Sequence, residues 1–322
     1  LGSRVITYIR GAKYCESQPA LQDVLSKDGE KDMYNIPTIH VTAQCLPEAW
    51  EKAVLAVWDQ GIDIKTEYDR PEDPPSKDAT VMITVQNPFN EPRIHKNFPC
   101  GPEELEAYRQ EVCDGIHNHW IDPVAGKWTY TYNERLFAYN PTDDLSNPQA
   151  SKPFLAVDQI QAVIDKLSET SYSRRAQAIT WQPTADPKTD DPPCLQRLWF
   201  RILPDAQGQL TLNMNSHWRS RDLYKAWFMN AFALTDLQRI MAEKISENTG
   251  QTIRVGQYVD ICDSLHIYGS YYAEAKGDLE KMRDGQFADR AWDSDHPAFE
   301  MMTQEARAKL AKDPDCYAKG QG

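Results

Sequence analysis

Apolar positions along the chain recur with two different periods. Between residues 47 and 60 they fall at Trp50, Ala53, Val54, Val57 and Trp58, the three-and-four spacing of one helix face, with Pro47 near the start and Gly61 just past the end. The spacing predicts a helix over 47–60. The same rule predicts helices through Leu105, Tyr108, Val112 and Ile116, and through Val157, Ile160, Ile164 and Leu167, the latter with Asp158 near its start. A long helix runs through Leu234, Leu237, Met241 and Ile245 and closes at Asn248 and Gly250. Period two marks strands. Leu198, Phe200 and Ile202 alternate with Arg197, Trp199 and Arg201, and Leu210, Leu212 and Met214 alternate likewise. Pro204-Asp205-Ala206-Gln207-Gly208 between them reads as a hairpin turn.

Other stretches complete the outline. Val81 to Val85 is a β-rich run ended by Asn87-Pro88. Trp128 to Tyr132, aromatic and threonine-rich, reads as a strand, and Ala178 to Trp181 as a short one. Residues 68–78, polar and proline-rich, read as a loop. Residues 1–35 read as an irregular extension, 36–285 as one domain, and 286–322 as a charged appendage, helical or peripheral. Separated strands, a hairpin and long helices indicate the α+β class.

Composition narrows the function. The 322 residues hold no run of about 18 apolar positions, so no transmembrane helix is expected. Leu1 to Arg10 lacks the basic-then-apolar pattern of a leader peptide. With 48 acidic against 35 basic residues the net charge is −13, which argues against non-specific nucleic-acid binding. An anionic substrate therefore needs a local arginine cluster. Seven cysteines, at 15, 45, 100, 113, 194, 262 and 316, show neither CxxC pairing nor metal-ligand spacing. That pattern points to a reduced, cytoplasmic protein without a metal.

Four segments carry groups suited to chemistry. In Asp190-Asp191-Pro192-Pro193-Cys194 two prolines fix the backbone before a single thiol; a buried cysteine acting as a small hydrophobe is the bland alternative. In His217-Trp218-Arg219-Ser220-Arg221-Asp222, arginines around a serine suit a phosphate, though an exposed charged turn looks the same. Ser173-Arg174-Arg175 offers a further basic pair. In Asp263-Ser264-Leu265-His266-Ile267-Tyr268, His266 and Tyr268 point the same way on an extended segment and can hold one hydroxyl together.

In this order and at these spacings the segments resemble the thymidylate synthase family: Ser173-Arg174-Arg175, Pro193-Cys194, Arg219-Ser220-x-Asp222, Asn230 and His266-x-Tyr268. The resemblance is strong over about residues 170–272. It extends upstream through Trp128–Arg135 and through Asn87-Pro88…Pro92-Arg93-Ile94, where it is most similar to the divergent archaeal branch. It implies an α+β three-layer fold around a mixed β-sheet whose face is used for dimerisation. It also implies a one-carbon transfer from 5,10-methylenetetrahydrofolate to C5 of a pyrimidine deoxynucleoside 5′-monophosphate.

The roles carried by the resemblance are these. Cys194 adds to C6 of the base. Arg219 and Ser220 bind the 5′-phosphate, and Arg219 also sits near the thiol. Arg174 and Arg175 reach the neighbouring subunit's site in a homodimer, and Arg93 is a further phosphate ligand from a mobile loop. Asp222 serves base and folate, with Trp128 also at the folate. Asn230 reads the base edge, His266 and Tyr268 hold the 3′-hydroxyl, and Tyr130 is an active-site tyrosine. Glu106 is taken as the glutamate that moves protons at the base, with Glu104 and Glu111 as rivals. Neither nucleic acid nor membrane is expected as a partner.

The sequence also departs from the family. Leu195 follows the nucleophile in place of histidine, Trp199 replaces a glutamine, and Ala226-Trp227-Phe228-Met229-Asn230 replaces Gly-x-Pro-Phe-Asn. The chain ends Tyr317-Ala318-Lys319-Gly320-Gln321-Gly322, so the apolar tail that closes over the folate is expected to be missing. Such a tail keeps water out during hydride transfer. The expectation therefore leans to 5-hydroxymethylation of dUMP or dCMP, as in phage and antibiotic-pathway branches. Asn230 favours uracil, because an amide can donate to O4 and accept from N3–H. Reductive methylation to dTMP, and a nucleotide-binding homologue without turnover, are the alternatives.

Overall fold

The computed structural model describes residues 35–141 and 155–317. The predicted irregular extension, but for Asn35, lies outside the described residues. In chain order come β1 (Thr38–Ala43), α1 (Leu46–Gln60), β2 (Ile62–Ile64), β3 (Ser76–Val85), β4 (Ile94–His95), α2 (Pro102–Asp114), α3 (Tyr132–Phe137), α4 (Gln159–Glu169) and β5 (Gln177–Ile179). Then follow β6 (Leu195–Pro204), β7 (Leu210–Trp218), β8 (Arg221–Asp222), α5 (Trp227–Thr249), β9 (Arg254–Ile267), α6 (Tyr272–Asp284), α7 (Phe287–Arg290), β10 (Ala291–Trp292) and α8 (Pro297–Leu310).

The main sheet is mixed, in the order β1-β3-β9-β7-β6-β5, with β2 on β3 and β8 on β9. β6 and β7 form the predicted antiparallel hairpin, and Gly208 takes the left-handed φ of +80° that its turn requires. One face is buried: Ile39, Val81, Ile83, Leu198, Phe200, Leu212 and Met214 lie within the hydrophobic core. Helices α1, α4 and α5 pack on that side, and α2 packs on α5 with α8 behind it. The arrangement has three layers: the sheet, a first layer of helices and an outer pair. The opposite face is continuous through the register, from Met82 opposite Ile261 to His217 and then Arg197. Its members Thr38, His40, Thr42, Met82 and Arg197 are exposed.

α5 is the central helix. It buries residues all round its N-terminal two-thirds, including Phe228, Ala231, Leu234, Leu237 and Met241, as expected for a helix with packed neighbours on every side. Gly250 ends it at φ +67°. Asp158 caps α4, its carboxylate accepting the N–H of Gln161 at 2.8 Å.

Several expectations are corrected. Trp128 to Tyr132 is not a strand: Thr131 caps α3, its hydroxyl oxygen accepting the N–H of Glu134 at 3.0 Å, and Tyr132 is already helical. Ile116 lies beyond α2, which stops at a left-handed Gly115 (φ +68°). The loop ends earlier than residue 78, because Ser76 to Asp78 pair with β2. The segment after residue 285 is helical in part, as expected; it also adds β10 on β4 and packs α8 against α2 through buried Phe299, Thr303, Ala306 and Leu310. Among the described residues no helix is long and apolar enough to cross a membrane.

Removing side-chain volume from the middle of α5 leaves a cavity its neighbours cannot fill. We expect Leu237→Ala, at a buried position, to lower unfolding free energy by about 2–5 kcal/mol in urea titrations. Met301→Ala, at an exposed position on α8, should stay within about 0.5 kcal/mol of the wild type.

Candidate active site

The hairpin brings together residues that are far apart in sequence. Leu195 opens β6 opposite Trp218 at the end of β7, so Cys194 and Arg219 meet just outside the paired strands. The Arg219 backbone N–H donates to the Cys194 carbonyl at 2.9 Å. The Arg219 guanidinium holds the diproline from the same side, Nε donating to the Pro193 carbonyl at 3.1 Å and Nη2 to the Pro192 carbonyl. The turn that aims the thiol is thus fixed twice, by proline rings and by one arginine. Burial pushes the Cys194 thiol above its ordinary pKa; Arg219 pulls it back, Asp191 adds to the rise and Arg221 opposes it. The net rise means the resting group is a thiol.

Arg221 faces the other way. It is buried and paired with Asp260, and its guanidinium carbon lies 4.1 Å from the Trp218 ring centroid. Asp260 also accepts from Ser216 Oγ (2.9 Å), Tyr258 Oη (2.6 Å) and Trp227 Nε1 (3.2 Å). The two arginines around Ser220 therefore have different surroundings: Arg219 meets the thiol turn and Arg221 forms the floor.

Asp222 pairs with His266 across β8 and β9. Its Oδ1 accepts the N–H groups of Tyr224 (2.8 Å) and Lys225 (3.0 Å). Burial pushes the Asp222 carboxyl up to about 6, against those two donors. His266 is buried, and burial lowers its pKa to about 4. Its Nδ1 lies 3.2 Å from the Ser264 carbonyl, which can only accept, so that nitrogen carries the hydrogen. Nε2 is then a bare acceptor, buried and unpartnered among the described residues. The Tyr268 ring lies 4.5 Å away, edge-on.

Asn230, in the first turn of α5, donates Nδ2 to Tyr108 Oη of α2 at 2.6 Å. Tyr108 lines a cavity of about 590 Å³ with Glu111, Trp128, Tyr130, Tyr132, Asp190 and Asp191, among others. The Tyr132 hydroxyl accepts the N–H of Leu195 at 3.3 Å, which ties the cavity wall to the residue after Cys194.

Of the expected site residues, Tyr130 and Trp128 line this cavity. Cys194, Arg219, Asp222, Asn230, His266 and Tyr268 are linked to it or to each other by the contacts above. Arg174 and Arg175 are exposed, beside β5, and the Trp199 indole donates to the Arg174 carbonyl at 3.2 Å. Trp199 thus belongs to the outer side of the sheet, whereas Leu195 is buried in the core.

Two of the expected residues lie away from this cavity. Arg93 is buried between the rings of Phe89 and Phe232, 4.1 Å from each centroid, and donates to the Pro88 carbonyl and Thr235 Oγ1. It lines a separate cavity of about 350 Å³ rather than a mobile loop at the thiol. Glu106 lines that same second cavity, its carboxylate held by Arg109 (2.9 Å) and Arg307 (3.0 Å). Glu104 is exposed, and Glu111 is the glutamate of the three that faces the main cavity. Tyr108, three residues before Glu111 on the same helix face, was detectable from that spacing. Tyr132 gave no signal beyond its aromatic neighbours.

Comparison with known proteins agrees on one family. Residues 105–304 match the family model described as thymidylate synthase. A Methanosarcina mazei protein named "Putative thymidylate synthase" is 27% identical over 228 residues, covering 71% of this chain and 88% of the relative. A Methanothermobacter marburgensis protein of the same name is 27% identical over 248 residues, covering 72% of this chain and 93% of its own length.

The depressed pKa of His266 makes stability pH-dependent. Its folded value, about 4, lies below the unfolded imidazole value, so its neutral form contributes stability that is complete above pH 6.5 and is lost as pH falls towards 4. Over that window the wild type should lose on the order of 3 kcal/mol more than His266→Asn in chemical denaturation. Equal losses would refute the assignment.

Proposed function

The chain belongs to the thymidylate synthase family, and on that premise we propose that it transfers a one-carbon unit from 5,10-methylenetetrahydrofolate to C5 of a pyrimidine deoxynucleoside 5′-monophosphate. The observation that carries this reading is the meeting of Cys194 and Arg219 across the open end of the β6–β7 hairpin. A thiol needs a nearby cation to react as thiolate, and an anionic nucleotide needs the same cation in a chain of net charge −13.

In this reading the Cys194 thiol gives up its proton and its sulfur adds to C6, forming a C–S bond and leaving C5 as an enolate carbon. The folate supplies the one-carbon unit that this carbon captures. Glu111, facing the cavity, is the group we assign to proton movement at the base, in place of Glu106. Loss of the C5 proton and departure of the folate leave an exocyclic methylene, and release of Cys194 follows addition to that methylene. Asn230, backed by Tyr108, meets the base edge. The bare Nε2 of His266 accepts from the sugar 3′-hydroxyl, with Tyr268 beside it. Ser220 joins Arg219 at the phosphate, while Asp222 and Trp128 face the folate. Tyr130 stands at the reacting carbon with Tyr132.

The fate of the methylene depends on water. Lys127, Thr129, Thr131, Asp190 and Asp191 line the cavity, and such groups hold water where hydride transfer requires its exclusion. This favours water addition and a 5-hydroxymethyl product from dUMP or dCMP. The names of the archaeal relatives favour the other product, 5-methyl. The exposed Arg174-Arg175 pair, near the uncovered sheet face, supports a homodimer in which each subunit lends these arginines to the other.

With [5-³H]dUMP or [5-³H]dCMP and methylenetetrahydrofolate, tritium release is expected from the wild type. Cys194→Ser should reduce it by several orders of magnitude. The product should gain CH₂O in mass. A gain of CH₂ with an absorbance rise from dihydrofolate would replace the hydroxymethyl reading, and binding without tritium release would make the protein a non-catalytic homologue. Mixing inactive Cys194→Ser with inactive Arg174→Ala subunits should restore activity, because a heterodimer then holds one complete site. No restoration would place Arg174 outside the neighbour's site.

A further inference from the structure

The wall of the cavity has a second side. Glu111 is buried, and its Oε2 lies 2.7 Å from Nδ1 of His117, which is also buried. The two are brought together by Gly115. At φ +68° it turns the chain back beneath the helix it has just left, and a Cβ there would stand 2.5 Å from Asn133 Oδ1 and 2.6 Å from Asn118 Nδ2. The other ring nitrogen, Nε2, lies 2.9 Å from the carbonyl of Pro314, in the segment after α8. The His117 ring is stacked on Trp120 at 3.7 Å with an interplanar angle of 8°. Asp315 holds the same segment, accepting from Trp120 Nε1 at 2.8 Å and lying 2.9 Å from His119 Nε2.

These contacts fix the proton count. A carbonyl can only accept, so Nε2 carries a hydrogen. The short contact between Nδ1 and Oε2 then holds one proton. With the proton on nitrogen, the cavity meets a carboxylate; with it on oxygen, the cavity meets a carboxylic acid and the imidazole is neutral. The charged or titratable groups around the pair are Tyr108 on its own helix, His119 from the following turn and Asp315 from the segment after α8. Burial works against charge on the His117 ring, but the bonds to Glu111 and Pro314 outweigh it and hold its pKa above the ordinary imidazole value.

We propose that His117 is the positioning residue for Glu111, sharing its proton and fixing its carboxylate at the cavity wall, and that the Pro314 carbonyl sets the tautomer in which it does so. The proposal rests on the reading of this cavity as the pyrimidine site. It adds to that reading a device reaching from the reacting base to the far side of the wall: Glu111 facing in, His117 behind it, and the chain after α8 behind both. Partners placed behind a reactive group in this way commonly matter 10–100-fold for its chemistry, as with the ligands of metal sites.

The test uses the full chain. Tritium release from [5-³H]dUMP and [5-³H]dCMP is followed against pH for the wild type, His117→Gln, Glu111→Gln and the double variant. His117→Gln is expected to lower kcat about 10–100-fold with KM for the nucleotide unchanged, and to move the acidic limb of the profile. In the Glu111→Gln background the same change should cost little more, because His117 acts through Glu111. An unchanged kcat and profile in His117→Gln, or full additivity in the double variant, overturns the proposal.

A second readout does not need turnover. ¹⁵N resonances of the His117 ring in the resting protein should show Nε2 protonated throughout, and a titration midpoint that falls in Glu111→Gln. A midpoint indifferent to Glu111 overturns the pairing whether or not the enzyme is active. Wild-type protein that released no tritium would instead sink the reading of the site, and the imidazole titration would still decide the pairing.

Discussion

The buried carboxylate of Asp260 is the constraint on which the rest of the site depends. It takes one ion pair and three hydrogen bonds, from Arg221, Ser216, Tyr258 and Trp227. Those side chains come from β8, β7, β9 and the start of α5. An ionised carboxylate in the core is tolerable only when its lone pairs are occupied, so the four elements are obliged to meet at one point. Because Arg221 must face Asp260, Arg219 on one side and Asp222 on the other take up positions along the thiol turn and beside His266. The Asp260 carboxylate is fully bonded, although Arg221 Nε and Nη1 find no partner among the described residues, and the groups above this floor inherit their places from it.

Much of this was legible in the sequence where local rules decide. The β6–β7 hairpin follows from period two and a glycine at the one position needing positive φ. The two ends of α1, the capping of α4 by Asp158 (with Val157 falling outside the helix), and the glycine that closes α5 follow from proline, aspartate and glycine signals. Legibility fails where composition suits two states. Trp128 to Tyr132 has the content of a strand, yet Thr131 three residues before Glu134 is also a helix cap, and the cap prevails. The pairing of β4 with β10 spans two residues on each side and leaves no periodic trace.

The glutamates show a subtler limit. Glu106 and Glu111 lie on one helix, five residues apart and so roughly 140° around its axis, which places them on different faces. Arg109, three residues after Glu106, was a sequence signal that this carboxylate would be ion-paired. Nothing comparable marked Arg307, which arrives from α8, 201 residues after Glu106. Distant partners of this kind decide which of several similar residues faces a cavity, and a single sequence does not display them. The electrostatics of the site follow the same logic: burial keeps His266 neutral and Cys194 protonated, and Arg219 beside the thiol turn works against the latter.

The hairpin has one further consequence, for the order in which the site can form. Cys194 and Arg219 close a loop of only about 25 residues whose strands pair with each other, whereas His266 reaches the same site from the far end of α5 and β9. The entropy of closing a loop grows with its length, and contacts distant in sequence are slow to form. The nucleophile and its cation are therefore the part of the site that the chain can assemble locally, within one hairpin. The residues beside the base and sugar must wait for the central helix to dock.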